Sequence, residues 1–71
     1  MDYPEKIRLA IQYMEKHSSE KILLEEIAKA SFISPFHFHR IFKSITNSTP
    51  REYIERIRIE RAAHLMQYTN I

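Results

Sequence analysis

Phe36, His37, His39, Arg40 and Lys43 crowd into eight consecutive positions and could together hold an anion or read a flat polar edge. Arg40 carries a planar fork of donors that matches O6 and N7 of guanine in the major groove of DNA. His39 can donate to a base acceptor or to a phosphate, and Phe36 can meet a thymine methyl. Lys43, Lys29 and Arg51 suit phosphates, as does Ser34 with the start of the helix it precedes. His37 suits a phosphate contact or a hydrogen bond on the helix surface. A zinc reading of His37 and His39 fails on geometry, because positions i and i+2 of a helix lie about 200° apart.

The charge around these residues is segregated. The chain has 71 residues and a net charge of +2. Between Glu26 and Glu52 lie 25 residues without an acidic side chain, carrying Lys29, Arg40, Lys43 and Arg51 as well as His37 and His39. The remainder is net negative. Chance clustering on a solvated surface is the plain explanation; a patch facing an anion is the functional one.

Composition excludes several other chemistries. Without glycine there is no Gly-rich phosphate loop, and without cysteine no disulfide, thiol nucleophile or cysteine-based zinc site. The nine carboxylates all lie outside the basic segment, so no acid/base pair converges on its histidines. The sequence thus predicts no enzyme, no cofactor and no metal. It carries no membrane-length apolar run and no signal-peptide pattern, which makes a soluble cytoplasmic protein the simplest expectation.

These side chains must be positioned by helices, since valine is absent and apolar alternation is nowhere sustained. The expected fold is all-α, a small helical bundle in one domain over residues 1–71. A first helix should begin near Pro4 and bury Ile7, Ala10, Ile11 and Met14, spaced i, i+3, i+4, i+7. A second should run from about Leu23 to Ser31 with Leu24, Ile27 and Ala28 inside. Leu23 stands where a cap is expected, and Glu26 resembles half a capping box. Ser34-Pro35 signals a restart, with serine as cap and proline first. The third helix, 35–45, should face the core with Phe38, Ile41, Phe42 and Ile45. Asn47 is suited to a left-handed turn. Thr49-Pro50-Arg51-Glu52 is a complete capping box for a fourth helix to about Gln67.

That fourth helix has two apolar faces at 100° per residue. Tyr53, Ile54, Ile57 and Leu65 form one. Ile59, Ala62 and Met66 form another, about 150° away by the same arithmetic, with no partner among the first three helices. Arg58 and Arg61 sit among Glu55 and Glu60, which favours ion pairs within the helix. His17 and His64 receive no role.

Two helices joined by a three-residue turn, the second presenting Phe36, His39, Arg40 and Lys43 outward, have the layout of a helix-turn-helix. The string Ile27-Ala28-x-x-Ser31 then Ile33-Ser34-Pro35-Phe36-His37-Phe38-His39-Arg40-Ile41-Phe42-Lys43 resembles the first helix-turn-helix of AraC/XylS-type transcription regulators. The continuation Thr49-Pro50-x-x-Tyr53-Ile54, with Arg58, Ala62, Leu65 and Met66, extends that resemblance over nearly the whole chain.

The resemblance implies a homeodomain-like unit followed by a linker helix over 50–67, in a domain whose second helix-turn-helix is absent here. It gives the Ile59/Ala62/Met66 face that second unit as partner. It implies base contacts at Phe36, His39 and Arg40, and burial of Phe38, Ile41 and Phe42. A separate effector or dimerisation domain, and a bacterial cytoplasm with time spent on the nucleoid, are implied too. Arg58 matches a family position, which implies a partner for it in the first unit. Relatives usually have glycine where Phe32 stands. A bulky residue at positive φ is strained, so the turn is expected to use another conformation, with Phe32 partly buried beside it. The expected function is sequence-specific binding of double-stranded DNA. The alternative is a helical interaction or dimerisation module using the Ile59/Ala62/Met66 face.

Overall fold

Asp2 opens the first helix. Its carboxylate accepts the Glu5 amide at 3.0 Å, and its carbonyl accepts from Lys6. This cap starts α1 (Tyr3–Lys16) one residue before the expected Pro4, which takes the second helical position. The computed structural model describes the backbone of residues 2–69 and the side chains of residues 2–64. Three further helices follow, α2 (Leu24–Ala30), α3 (Pro35–Thr46) and α4 (Pro50–Thr69). The described residues contain no strand.

The core is where the apolar stripes meet. Ile7, Ala10 and Met14 of α1, Ile27 and Ala28 of α2, and Phe38 and Phe42 of α3 are all at most 2% exposed. Ile33 from the turn and Ile54 from α4 complete the buried set, and Ile11, Ile41, Tyr53 and Ile57 pack at its edge. The three rings form a chain. Phe38 and Phe42 lie 5.5 Å apart between centroids, and Tyr53 meets Phe42 edge-on, also at 5.5 Å.

Two expected core residues are not in it. Leu24 and Ile45 are 40% and 42% exposed. Each sits at one end of its helix, where the correct angular position overshoots the packed region. Leu65 and Met66, assigned to the two faces of α4, lie outside the described side chains.

The helix ends explain how three short connections fit. Leu23 caps α2 without a side-chain bond, as its residue type dictates. Glu26 completes no capping box; its carboxylate instead accepts the Tyr13 hydroxyl at 3.0 Å and ties α1 to α2. That bond holds the Tyr13 pKa above its ordinary value, because losing the phenolic proton would set two anions at bonding distance.

At the far end of α2 the Phe32 amide bonds to the Lys29 carbonyl at 3.2 Å and the Ile33 amide to the Ala28 carbonyl at 3.1 Å. This pair is a Schellman motif. It requires a left-handed residue, and Phe32 supplies it at φ 60°. The expected escape to another conformation does not occur, because the motif's two bonds and the burial of Ile33 depend on that dihedral. The phenyl ring is not tucked beside the turn either; it is 68% exposed.

Ser34 stands at the N-cap of α3, but its side chain makes no capping bond; its carbonyl accepts from His37 and Phe38. Asn47 closes α3 at φ 61°, with its amide on the Lys43 carbonyl at 2.8 Å. The Thr49 capping box is complete. The Glu52 amide reaches the Thr49 hydroxyl at 3.1 Å, and the Thr49 amide reaches the Glu52 carboxylate at 3.0 Å.

The Thr49 amide, and after it the Thr49 hydroxyl, holds the Glu52 carboxyl below its ordinary value. Its stabilising contribution is therefore fully present above the ordinary carboxylate pKa and is lost as pH falls through the lower folded-state value. In urea unfolding followed by helical circular dichroism, Thr49→Ala should lose about 1 kcal/mol at neutral pH. Glu52→Gln should show a shallower acid-induced fall in stability than the parent chain.

Candidate nucleic-acid interface

Burial of Phe38 and Phe42 fixes the rotation of α3 about its axis. At 100° per residue, Phe36 and Arg40 lie 40° apart and roughly opposite the buried pair. Phe36 is 87% exposed, and Arg40 and Lys43 are exposed on the same side. Sequence reasoning placed these three outward, and the structure does so. His37 is exposed beside them, its ring edge-on to Phe36 at 5.1 Å. Ser44, four residues past Arg40, shares this face; its hydroxyl donates to the Ile41 carbonyl at 2.8 Å. The i, i+4 spacing from Arg40 was available in the sequence to include it.

His39 turns to the flank. It borders an open cleft of about 360 Å³ whose apolar walls include Leu24, Ile27 and Ile54 and whose rim includes Arg51 and Arg58. The structure thus brings His39 and Arg51 to one cleft, although they lie twelve positions apart in sequence. The Arg51 side chain is 91% exposed and only loosely paired with Glu55, at 3.7 Å. Ser34 and Lys29 are exposed at the two sides of the α2–α3 turn. Two carboxylates border these residues: Glu55 lies 3.7 Å from Arg51, and the exposed Glu52 feels the charge of Lys43. No group of three or more potential metal ligands occurs among the described residues.

Arg58 and Arg61 overturn the expectation of ion pairs within α4. Arg58 Nε donates to the Ser18 carbonyl at 3.1 Å, and its Nη2 to the Glu20 carbonyl at 2.7 Å. Arg61 Nη1 donates to the Ser18 hydroxyl at 2.6 Å. The two guanidiniums clamp the segment between α1 and α2, whose carbonyls have no helical partner. Residue type and spacing carry no signal for this, because backbone carbonyls 38 and 40 residues away have no residue-type signature; the family resemblance, however, gave Arg58 a partner in the first unit, and it has one. The clamp fixes the entry to α2, and through it the helix pair. Arg58→Ala should cost about 1 kcal/mol, and Arg58→Lys should recover little because one ammonium cannot span both carbonyls. Hydrogen exchange should show faster opening of residues 18–23 in both variants, with the α3 amides less affected.

Comparison with known proteins agrees with this geometry. The family model for bacterial regulatory helix-turn-helix proteins of the AraC family matches residues 14–55. Over 64 residues the chain is 38% identical to the bifunctional transcriptional activator/DNA repair enzyme AdaA of Bacillus subtilis, covering 90% of this chain and 30% of that protein. It is 36% identical over 70 residues to the HTH-type transcriptional regulator YbfP of the same organism, covering 99% of the chain and 24% of the relative. It is 29% identical over 65 residues to the HTH-type transcriptional activator RhaS of Salmonella schwarzengrund, covering 92% and 23%. The chain therefore spans less than a third of the length of these relatives. No solved structure matches it. A four-helix unit with an outward basic recognition helix, matched by this family model over more than half its length, belongs to the AraC family of bacterial regulatory helix-turn-helix proteins and is a DNA-binding module of a transcription regulator.

Proposed function

We propose that α3 enters the major groove of double-stranded DNA and reads bases with Phe36, His39 and Arg40. The observation that carries this reading is the exposure of Phe36, 87%, on the face shared with Arg40 and opposite the two buried phenylalanines. An apolar ring held in water at the start of a helix gains by meeting a thymine methyl, and the guanidinium four residues on matches a guanine edge. His39, on the flank, reaches a base acceptor at the groove's edge. Ser34, His37, Lys43, Lys29 and Arg51 hold phosphates and set the register.

Residues 1–71 are read as the first helix-turn-helix and linker helix of a larger domain. Ile59 is 69% exposed and Ala62 is exposed on the same side of α4. We assign that face to a second helix-turn-helix unit. The length of the relatives leaves room for such a unit and for an effector or dimerisation domain. This is a binding module, not an enzyme, working in the bacterial cytoplasm. No described helix is long and apolar enough to cross a membrane.

The test is a fluorescence-anisotropy titration on duplexes enriched by the chain from a random-sequence pool. Arg40→Ala should lose about 1–3 kcal/mol on a guanine-containing site and relax preference at that position. Lys43→Ala should weaken all sequences alike and lower the slope of log K against log salt by about one. Ile59→Asp should leave single-site binding intact. Unchanged binding by the Arg40 variant would overturn the base-reading assignment.

A further inference from the structure

Phe32 combines two properties that a folded chain rarely keeps together. Its φ of 60° lies in the left-handed region, and its ring is 68% exposed. A side chain with a Cβ in that region is disfavoured by about 1–2 kcal/mol. The other left-handed residue of the described chain is Asn47, a residue type that tolerates this conformation. At Phe32 neither burial nor a polar side chain offsets the strain. The Schellman motif needs the dihedral, but it does not need a phenyl group; glycine would serve it better. Within the chain the ring is a net loss, so whatever it contributes lies outside.

Its place says what it meets. Ile33 is 5% exposed and belongs to the core, whereas Phe32, its neighbour in the turn, is 68% exposed. The turn ends at Ser34, and Phe36 follows in the first turn of α3. Two large exposed apolar rings thus stand just before and just after the start of the recognition helix in sequence, within the segment free of acidic residues. When that end is inserted in a groove about 12 Å wide, the preceding turn lies against the sugar–phosphate wall. That wall presents deoxyribose carbons as well as phosphates, and an apolar ring suits the former.

We propose that Phe32 is a further DNA-contacting residue, which packs on the deoxyribose face of the strand bordering the groove that α3 enters. This rests on the reading that α3 binds the major groove. The contact is apolar and sequence-independent, so it adds affinity without adding preference. The backbone strain is retained because it aims the ring. Such a residue opposes stability and binding to one another, as functional strain does.

The experiment compares Phe32→Gly and Phe32→Asn, both of which relieve the strain, with Phe32→Trp, which keeps an aromatic ring. Unfolding in urea and anisotropy titration are measured on each, using a random-sequence duplex and a duplex enriched by the parent chain, with Arg40→Ala as reference. Both strain-relieving variants should unfold at higher urea yet bind both duplexes about 5- to 10-fold more weakly, by the same factor on each. The slope of log K against log salt should not change, since no phosphate contact is lost. Phe32→Trp should keep most of the affinity. If the Gly and Asn variants gain stability and bind as the parent does, while Arg40→Ala loses affinity, the contact is refuted and the groove reading stands. If Arg40→Ala also binds as the parent does, both fall together.

Discussion

Burial of Phe38 and Phe42 in α3 is the constraint on which the rest of this structure depends. Removing such a ring from a core costs about 3–5 kcal/mol, a large share of the 5–15 kcal/mol that holds a small domain. The helix therefore has one rotational setting. That setting decides which residues face out, and the outward set is Phe36, Arg40, Lys43 and Ser44. The recognition surface is not built separately from the core. It is the other side of the same three turns of helix, and its orientation is as secure as the packing of two phenylalanines.

The same rings tie the reading helix to the linker. Tyr53 meets Phe42 edge-on, and Ile54 is buried beside them. The Arg58 and Arg61 clamp then holds the segment before α2 from the other side. A chain of 71 residues without a disulfide has little core to spare. It compensates at its connections: a Schellman motif after α2, a left-handed asparagine after α3 and a reciprocal capping box before α4. The helix-turn-helix is held by closed helix ends as well as by its small interior.

What was legible in the sequence divides along the same line. Local chemistry read well. The capping box at Thr49 and the left-handed turn at Asn47 each depend on residues within four positions of one another, and periodicity gave the buried faces of α1 and α3. Residues at helix ends read less well. Leu24 and Ile45 have the right angular position, yet helical periodicity says nothing about where along the axis the core stops. Spacing assigned Arg58 and Arg61 to neighbouring glutamates because the sequence displays neighbours, whereas their partners are carbonyl and hydroxyl oxygens of the Ser18–Glu20 segment; only the family resemblance pointed Arg58 to the first unit. Phe32 shows the opposite error. Its residue type argued against a left-handed turn, but two backbone hydrogen bonds and the burial of Ile33 outweighed the local preference.

α4 carries the consequence furthest. Its first half is committed to α1–α3 through Tyr53, Ile54 and Ile57, while Ile59 and Ala62 look the other way. In the proposed larger domain, a helix with apolar residues on two faces about 150° apart would be a wall between two bodies. A helix of 20 residues is about 30 Å long, close to the roughly 34 Å between successive exposures of the major groove on one side of DNA. In the proposed larger domain, a second unit seated on the Ile59 face would inherit its distance from α3 directly from the helix. Flexing that wall would misplace one reading helix relative to the other. The three guanidinium bonds to the Ser18–Glu20 segment stand where they resist such flexing, at the middle of α4, between the face that is covered and the face that is not.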